Sequence, residues 1–157
     1  MEEQSKNYLN QFLESLSDSD RSKYKSFSAD YFCGDEVNAN LSAELINIGQ
    51  KTATCSMKYW YESDDEVMPS IGHLQVVTDW HGKQVCIIEV DSVDECQYCD
   101  VSADFAYLEG EGDRSLAWWR KAHWNFFAKE CVELNIEPSE DMMLVLEQFH
   151  VVHQSAN

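Results

Sequence analysis

The chain has 157 residues, and its 29 acidic against 11 basic residues give a net charge of −18 at neutral pH. This length predicts one domain with its own hydrophobic core, and 44% apolar residues exclude a disordered chain. The acidic balance argues against sequence-blind binding of DNA or RNA, which depends on Lys and Arg side chains that neutralise phosphates. The sequence contains neither an apolar run long enough for a membrane span nor a signal peptide at its start. We therefore expect a cytoplasmic protein that contacts no membrane and keeps its six cysteines reduced.

The first part of the chain is predicted to be mainly helical. Apolar residues at helical spacing predict a helix over 5–16, which the Ser-Asp-Ser-Asp run at 17–20 ends. A second helix is predicted over 41–48. A run over 52–61 alternates in part and is predicted to be a strand, so the chain changes from helix to strand near residue 50.

Strands dominate the middle of the chain, after an acidic loop at 64–66. Two of them are predicted over 73–80 and 84–91, around a hairpin turn with Gly82 at the position that needs positive φ. The remaining predicted elements are a short helix over 101–108, a long helix over 114–135 capped by Asp113, and a strand over 142–152. Helices around a group of strands predict an α+β fold in which the strands close on themselves.

The junction between the helix over 41–48 and the next strand carries a lysine in a chain with few bases. Gly49 is the expected C′ residue of that helix, because glycine adopts positive φ without a Cβ clash. Lys51 can bind an anion or a polar substrate, or act as a base if burial lowers its pKa. Strand alternation separates Lys51 from Thr52 and Thr54, so Lys51 and Thr54 converge only if the turn is still unwinding at Lys51. The alternative is an exposed lysine after a helix cap.

The acidic loop at 109–113 interleaves three carboxylates with glycine. A single carboxylate here can serve as a general acid or base, or accept a hydrogen bond from a substrate amine. The loop lacks the length and the ligand spacing of a calcium loop, so we expect no metal there.

Residues 118–124 of the long predicted helix combine three tryptophans, two bases and a histidine. Arg120, Lys121 and Trp124 are suited to cradle a phosphate and stack a base. The alternative is a core helix with solvated bases, in which His123 is packed and hydrogen-bonded.

Cys96 and Cys99 form a single CxxC pair. His123 and Cys131 could in principle add two further zinc ligands. One such pair without a second is weak evidence for zinc, and the sequence leaves the question open.

Several short motifs occur in one order along residues 25–152. They are Phe32-Cys33-Gly34-Asp35, Gly49-Gln50-Lys51-Thr52-Ala53-Thr54-Cys55-Ser56, Ile87-Ile88-Glu89-Val90, Phe105-Ala106, Glu109-Gly110-Glu111-Gly112-Asp113, Ser115-Leu116, Trp119-Arg120 and His123. This ordered set resembles the ASCH domain family, in its bacterial stand-alone branch.

The resemblance implies a PUA-like β-barrel, closed or partly open, with flanking helices. Residues 25–157 would form the ASCH domain and residues 1–24 an N-terminal helical extension. It also implies a link to RNA, since family members include RNA-binding domains and a ribonuclease. One branch comprises amidohydrolases that remove the acetyl group of N(4)-acetylcytidine with a Lys, a Thr and a Glu. The matching positions here are Lys51, Thr54 and Glu109.

Charge and resemblance together favour a small amidohydrolase that acts on an N(4)-acylated cytidine-like substrate and uses no cofactor or metal. Lys51 would activate Thr54 or a water molecule by taking a proton, and Glu109 would orient the substrate or relay the proton. The residues expected to bind substrate are Thr52, Arg120, Lys121 and His123. Ser56 stands where the wider family often has an Arg, so the substrate can differ from that of the known amidohydrolases.

Two other functions fit the same sequence. One is an RNA-binding module or a metal-independent ribonuclease, for which the bases would need to share one face. The other is a non-catalytic domain that binds a nucleotide-like ligand. The expected partner is therefore a modified nucleoside or a short RNA, and not DNA.

Overall fold

A computed structural model describes residues 1–63 and 66–155, so Asp64 and Asp65 of the predicted acidic loop lie outside the described residues. The α-helices of the described part are α1 (Glu3–Glu14), α2 (Asp18–Arg21), α3 (Glu36–Asn47), α4 (Lys58–Ser63), α5 (Ala103–Glu109) and α6 (Leu116–Glu133), and a single 3-10 turn spans Tyr98–Asp100. Its strands are β1 (Phe27–Asp30), β2 (Ala53–Met57), β3 (Leu74–Thr78), β4 (Gln84–Gln97) and β5 (Met143–Gln154). None of these helices is long and apolar enough to cross a bilayer.

The five strands form one sheet in the order β1-β3-β4-β5-β2. β1 runs parallel to β3, and the other neighbouring strands are antiparallel. The centre of the sheet is the long ribbon of β4 and β5, whose register shifts between Ile87 and Ile88 and between Val90 and Ser92. Such bulges bend a strand and increase its twist, so the two ends of the ribbon face different parts of the molecule.

The α+β class is confirmed, but the prediction that the strands close on themselves is wrong. β3 pairs with β4 over residues 84–89, at one end of the ribbon. β2 pairs with β5 over residues 144–148, and that part of β5 faces residues 92–96 at the other end of β4. The two edge strands, β1 and β2, therefore lie at opposite ends of the ribbon. They do not pair within the described residues, and the sheet is open.

Several element boundaries differ from the predicted ones, and β4 continues to Gln97, six residues beyond its predicted end at 91. The strand predicted over 52–61 ends at Met57, and the chain turns at once into α4, whose aromatic residues pack on the core. α3 begins at Glu36, five residues before the predicted start. The Asp35 side chain accepts a hydrogen bond from Asn38 N at 2.9 Å and caps the first turn there.

The long helix α6 begins at Leu116 and takes its cap from Ser115. The Ser115 hydroxyl accepts a hydrogen bond from Trp118 N at 3.1 Å. Asp113, the predicted cap, accepts a hydrogen bond from Ser115 N at 2.8 Å and so holds the capping residue in place.

Helices cover both faces of the sheet and bury three apolar clusters. The first joins β2 and β5 to α5 and α6, and its buried members include Met57, Tyr98, Phe105, Trp119, Phe127 and Leu144. The second lies under α3 and contains Ala43, Ile46, Val77, Cys86, Ile88 and Phe149. The third lies under α1 and contains Leu9, Phe12, Leu74, Val76 and Ile87. The first cluster sets the positions of β2, α5 and α6, from which the candidate site is built.

Candidate functional site

The turn after α3 fixes the backbone of Lys51. Gly49 has a φ of +81°, and its N–H donates to Ile46 O at 3.0 Å. The N–H groups of Gln50 and Lys51 both donate to Leu45 O, at 2.9 and 3.0 Å. This is the Schellman arrangement that a glycine at C′ permits, so the predicted cap is confirmed. The helix still holds the backbone at the point where the Lys51 side chain leaves it.

The end of α5 lies directly against this turn. Gly110 follows Glu109 with a φ of +74°. A Cβ at Gly110 would lie 2.8 Å from the carbonyl carbon of Gln50 and 3.0 Å from Lys51 Cα. Gln50 Nε2 also donates to Gly110 O at 2.8 Å. Only glycine permits this approach of two backbones, and the approach brings Glu109 next to Lys51.

Lys51 lies inside a buried cluster of charges. Its Nζ is 2.7 Å from Glu111 Oε1 and 3.5 Å from Glu109 Oε1. The side chains of Lys51 and Glu109 are each 2% exposed, whereas that of Glu111 is 20% exposed. A buried charge loses its hydration, so it needs partners of opposite sign. The ammonium is therefore held at the inner end of a site that reaches solvent at Glu111.

The other oxygen of Glu109 receives groups from α6 and β2. Trp119 Nε1 donates a hydrogen bond to Glu109 Oε2. His123 Nε2 lies 3.0 Å from this oxygen, and Cys55 Sγ lies 3.8 Å from it. His123 Nδ1 is 2.8 Å from Trp119 O and must donate, because a carbonyl only accepts. Both oxygens of Glu109 are thus occupied by protein groups, and the carboxylate holds its neighbours in position.

These contacts decide which groups carry charge. Burial disfavours the Lys51 ammonium, but Glu109 and Glu111 outweigh it and raise the pKa of Lys51 above its ordinary value. Burial also disfavours the Glu109 carboxylate, but Lys51 and His123 outweigh it and lower the pKa of Glu109. Burial raises the pKa of the Cys55 thiol well above its usual value. A lysine already protonated in this way serves as a cation, which does not fit the expected role of Lys51 as a base.

Thr54 lies outside the cluster. It opposes Glu147 of β5 in the strand register. Alternation along β2 directs it away from the face that carries Cys55. Within the described residues, the hydrogen bonds and ion pairs of Lys51 and Glu109 do not include Thr54. The structure thus brings together Lys51 and Glu109, two of the three expected catalytic residues.

The four residues expected to bind substrate lie in two places. His123 belongs to the cluster, and Thr52 lies beside α5, where its Oγ1 donates to Leu108 O at 3.4 Å. Arg120 and Lys121 line a separate surface cavity of about 590 Å³. The residues that line this cavity are Tyr98, Cys99, Ala117, Arg120, Lys121, Trp124 and Glu140. The two bases therefore do not join Lys51 in a single basic surface.

Three residues of the cluster belong to the quoted motifs, but no role at the site could be assigned to them from sequence. Cys55 is four residues after Lys51, so in an extended chain the two side chains point to the same side, and Trp119 lies one helical turn before His123. Glu111 is one of the carboxylates of the acidic loop. Periodicity gave a signal for Cys55 and Trp119, and the loop composition gave one for Glu111, but neither indicated that the three would meet.

The donor atoms of Cys55, Glu109 and His123 all lie within 4.8 Å of one another. Nitrogen, oxygen and sulfur donors at this spacing are typical of zinc sites. In the described part of the chain, Cys96 and Cys99 belong to no such group of three, and Cys99 is exposed. The CxxC pair, considered from sequence, is therefore less suited to hold a metal than Cys55 with its two neighbours.

The fold and the site define an α+β domain with a buried lysine–carboxylate cluster next to a helix cap. The sequence matches the model of the ASCH domain over residues 28–153, so the chain belongs to the ASCH domain family, as its motifs indicated. This family is PUA-like and is associated with RNA binding.

Solved structures show the same relationship. The ASCH domain from Lactobacillus crispatus JV V101 is 60% identical, with 98% of this chain and 97% of that chain covered and a TM-score of 0.96. Protein EF3133 from Enterococcus faecalis V583, of family DUF984, is 27% identical, with 95% and 85% covered and a TM-score of 0.78. Hypothetical protein PH0355 is 14% identical, with 82% and 100% covered and a TM-score of 0.51, and it shares the fold alone. No curated protein matches the sequence.

Proposed function

We propose that the cluster around Lys51 is the active site of a small amidohydrolase that acts on an N(4)-acylated cytidine-like substrate. The observation that carries the proposal is the buried ion pair between Lys51 and Glu109, which are 58 residues apart in sequence. Replacing a buried ion pair by apolar residues is often neutral or stabilising, so burial of this pair suits a chemical role better than a structural one. The same two positions match the Lys and Glu of the known amidohydrolases that the sequence resembles.

The proposed roles follow from the charge and the exposure of each group. To reach a substrate, the Lys51 ammonium would exchange one of its three hydrogen bonds, which go to Glu109 O, Glu109 Oε1 and Glu111 Oε1. Lys51 is a fixed cation, so it polarises the acyl carbonyl oxygen and stabilises the oxyanion that forms on attack. Glu111 is partly exposed and 2.7 Å from Lys51 Nζ, so it is the carboxylate that can accept a proton from the attacking water. The acyl carbon–nitrogen bond then breaks, and the proton passes to the departing amine. Glu109 is a positioning residue, because its oxygens are occupied by protein groups.

Thr54 has a different place in this mechanism from the one expected by resemblance. A water molecule is the nucleophile, which leaves Thr54 without a covalent role. Thr54→Val therefore retains most of the hydrolysis, whereas Lys51→Met and Glu111→Gln lose it.

The test is hydrolysis of N(4)-acetylcytidine and related acylated cytidines by the purified protein. The amine product is separated by chromatography and quantified. Lys58→Met is the matched control, because Lys58 pairs with Glu95 at 3.0 Å on the surface. Circular dichroism confirms that each variant is folded. The proposal fails if no acylated cytidine is hydrolysed, or if Lys51→Met remains as active as Lys58→Met.

A second candidate function is RNA binding, and one observation favours it. Arg120 and Lys121 line the 590 Å³ cavity together with Trp124 and Tyr98, and within the described residues neither base takes part in an ion pair. Phosphate and base contacts would then lie there and not at Lys51, which is buried among carboxylates. Binding of short RNA that weakens steeply with added salt and is lost in Arg120→Ala/Lys121→Ala would support it. RNA binding that this double variant retains would contradict it.

A further inference from the structure

We propose that Cys55, Glu109 and His123 form a binding site for one divalent metal ion of the zinc class. The three side chains come from β2, the end of α5 and α6, and they meet inside the apolar cluster between these elements. Their donor atoms lie within 4.8 Å of one another, and Glu109 is fully buried. A thiol, a carboxylate and an imidazole are the ligand types that zinc takes in proteins.

The distances fit tetrahedral coordination. Metal–ligand bonds of about 2.0–2.3 Å place an oxygen and a nitrogen ligand about 3.4 Å apart, and an oxygen and a sulfur ligand about 3.6 Å apart. The observed distances from Glu109 Oε2 are 3.0 Å to His123 Nε2 and 3.8 Å to Cys55 Sγ. Movements of a few tenths of an ångström bring these two pairs to coordination distances, and the third pair, His123 with Cys55, lies within 4.8 Å. Three protein ligands leave the fourth coordination position for water.

The surrounding hydrogen bonds already orient the ligands. His123 Nδ1 donates to Trp119 O at 2.8 Å, so Nε2 is the nitrogen that faces the proposed site. A histidine whose other ring nitrogen donates to a carbonyl is the usual arrangement in metal sites. Trp119 Nε1 donates to Glu109, and Lys51 lies against the oxygen of Glu109 that does not face the site. The outer contacts of a metal site are thus present in the protein.

The ammonium of Lys51 does not prevent binding, because the charge of the cluster need not change. Metal ligation requires Cys55 as a thiolate and His123 as a neutral imidazole. If His123 is protonated before binding, Cys55 Sγ and His123 Nε2 each lose one proton when the ion binds. The two positive charges of the ion replace those of the two protons, so the net charge of the cluster stays the same. Lys51 is paired at 2.7 Å with Glu111, which is not one of the proposed ligands.

Another account of the cluster is a hydrogen-bonded core in which Cys55 is a small, half-buried apolar group. The two accounts differ in one measurable property, which is specific affinity for a metal through sulfur. The proposal concerns binding and does not depend on the hydrolysis proposed above, so each can fail without the other.

The test is titration of the full chain, free of any histidine tag and treated with EDTA, with Co(II). Co(II) reports tetrahedral geometry by visible absorption and thiolate ligation by a sulfur-to-metal charge-transfer band. We expect one ion per chain, both bands, and displacement of Co(II) by zinc. Cys55→Ser is expected to lose the charge-transfer band. His123→Gln, at a partly exposed side chain, keeps a folded protein and weakens binding more than about 100-fold, beyond the effect of losing an outer contact.

The control is the double variant Cys96→Ser/Cys99→Ser, which removes the exposed thiol of Cys99 and the half-buried thiol of Cys96 and leaves the proposed site intact. Retention of the charge-transfer band in this control supports the proposal. The proposal is overturned if the wild type gives no such band, if Cys55→Ser keeps it, or if the Cys96/Cys99 variant loses it.

Discussion

Replacing Lys51 by Met is expected to destabilise the folded protein by about 3–5 kcal/mol, because it leaves a buried carboxylate without its cation. Nζ is 2.7 Å from Glu111 and 3.5 Å from Glu109. With an effective dielectric constant of about 20, these distances correspond to attractions of about 6 and about 5 kcal/mol. Desolvation of the ammonium and of the carboxylates offsets several kcal/mol of that sum. Methionine fills most of the volume, so the loss reports charge and not a cavity.

Urea denaturation of EDTA-treated protein at neutral pH measures this loss. Lys58→Met is the comparison, because the Lys58–Glu95 pair is short but one-third exposed, at 33% and 37%. It is expected to cost at most about 1 kcal/mol. Adding Glu109→Gln to Lys51→Met removes the unpaired charge and is expected to recover part of the stability. A loss at Lys51 no larger than that at Lys58, with no recovery in the double variant, would refute the reasoning.

Three further predictions use the same denaturation assay. Gly110→Ala is expected to lower the free energy of unfolding by about 3 kcal/mol or more, because its Cβ would meet the Gln50 backbone. Gly49→Ala has open space around it, so it is expected to cost only the ~1–2 kcal/mol of an alanine at positive φ. Equal losses in the two variants would contradict this. Burial raises the pKa of Glu147 to about 7. The pKa of Glu147 in the folded protein therefore lies above its pKa in the unfolded chain. The stability that protonated Glu147 contributes is fully present below the unfolded-state pKa and is lost as the pH rises through about 7. Glu147→Gln is therefore expected to gain about 1–3 kcal/mol on the wild type between about pH 5 and pH 8, and a difference independent of pH would contradict it. Trp119→Phe removes the N–H that reaches Glu109 and is expected to cost about 1–3 kcal/mol, and an unchanged midpoint would show that this hydrogen bond contributes nothing.

Local chemistry allowed some of the site to be predicted from sequence. Gly49 could be predicted as a helix end because the C′ position often needs positive φ, which glycine adopts most easily. The pairing of Lys51 with Glu109 came from the resemblance to a family and not from spacing, since 58 residues separate the two. Strand alternation raised the doubt about Thr54, and the structure places Thr54 opposite Glu147 and away from the cluster.

The rest of the site depends on contacts that no local pattern specifies. Cys55, Trp119 and His123 meet because β2 and α6 both pack against the end of α5, where all three side chains reach the same oxygen of Glu109. The open sheet has the same cause, because the partners of the β4–β5 ribbon depend on where bulges bend it. α4 was not predicted either, because its aromatic residues favour a strand, yet Tyr59 and Trp60 pack on the core from this short helix.

The position of α1 has a practical consequence for work on this protein. The family match begins at residue 28, and residues 1–24 were expected to be an extension of the domain. Leu9 and Phe12 of α1 nevertheless pack on Leu74, Val76 and Ile87, which are almost fully buried. A fragment trimmed to the family boundaries would expose this apolar face of β3 and β4 to water and would be prone to aggregate. Binding or hydrolysis measured on such a fragment would reflect a sheet that lacks the packing of α1. Proteins prepared for these assays should therefore include residues 1–24.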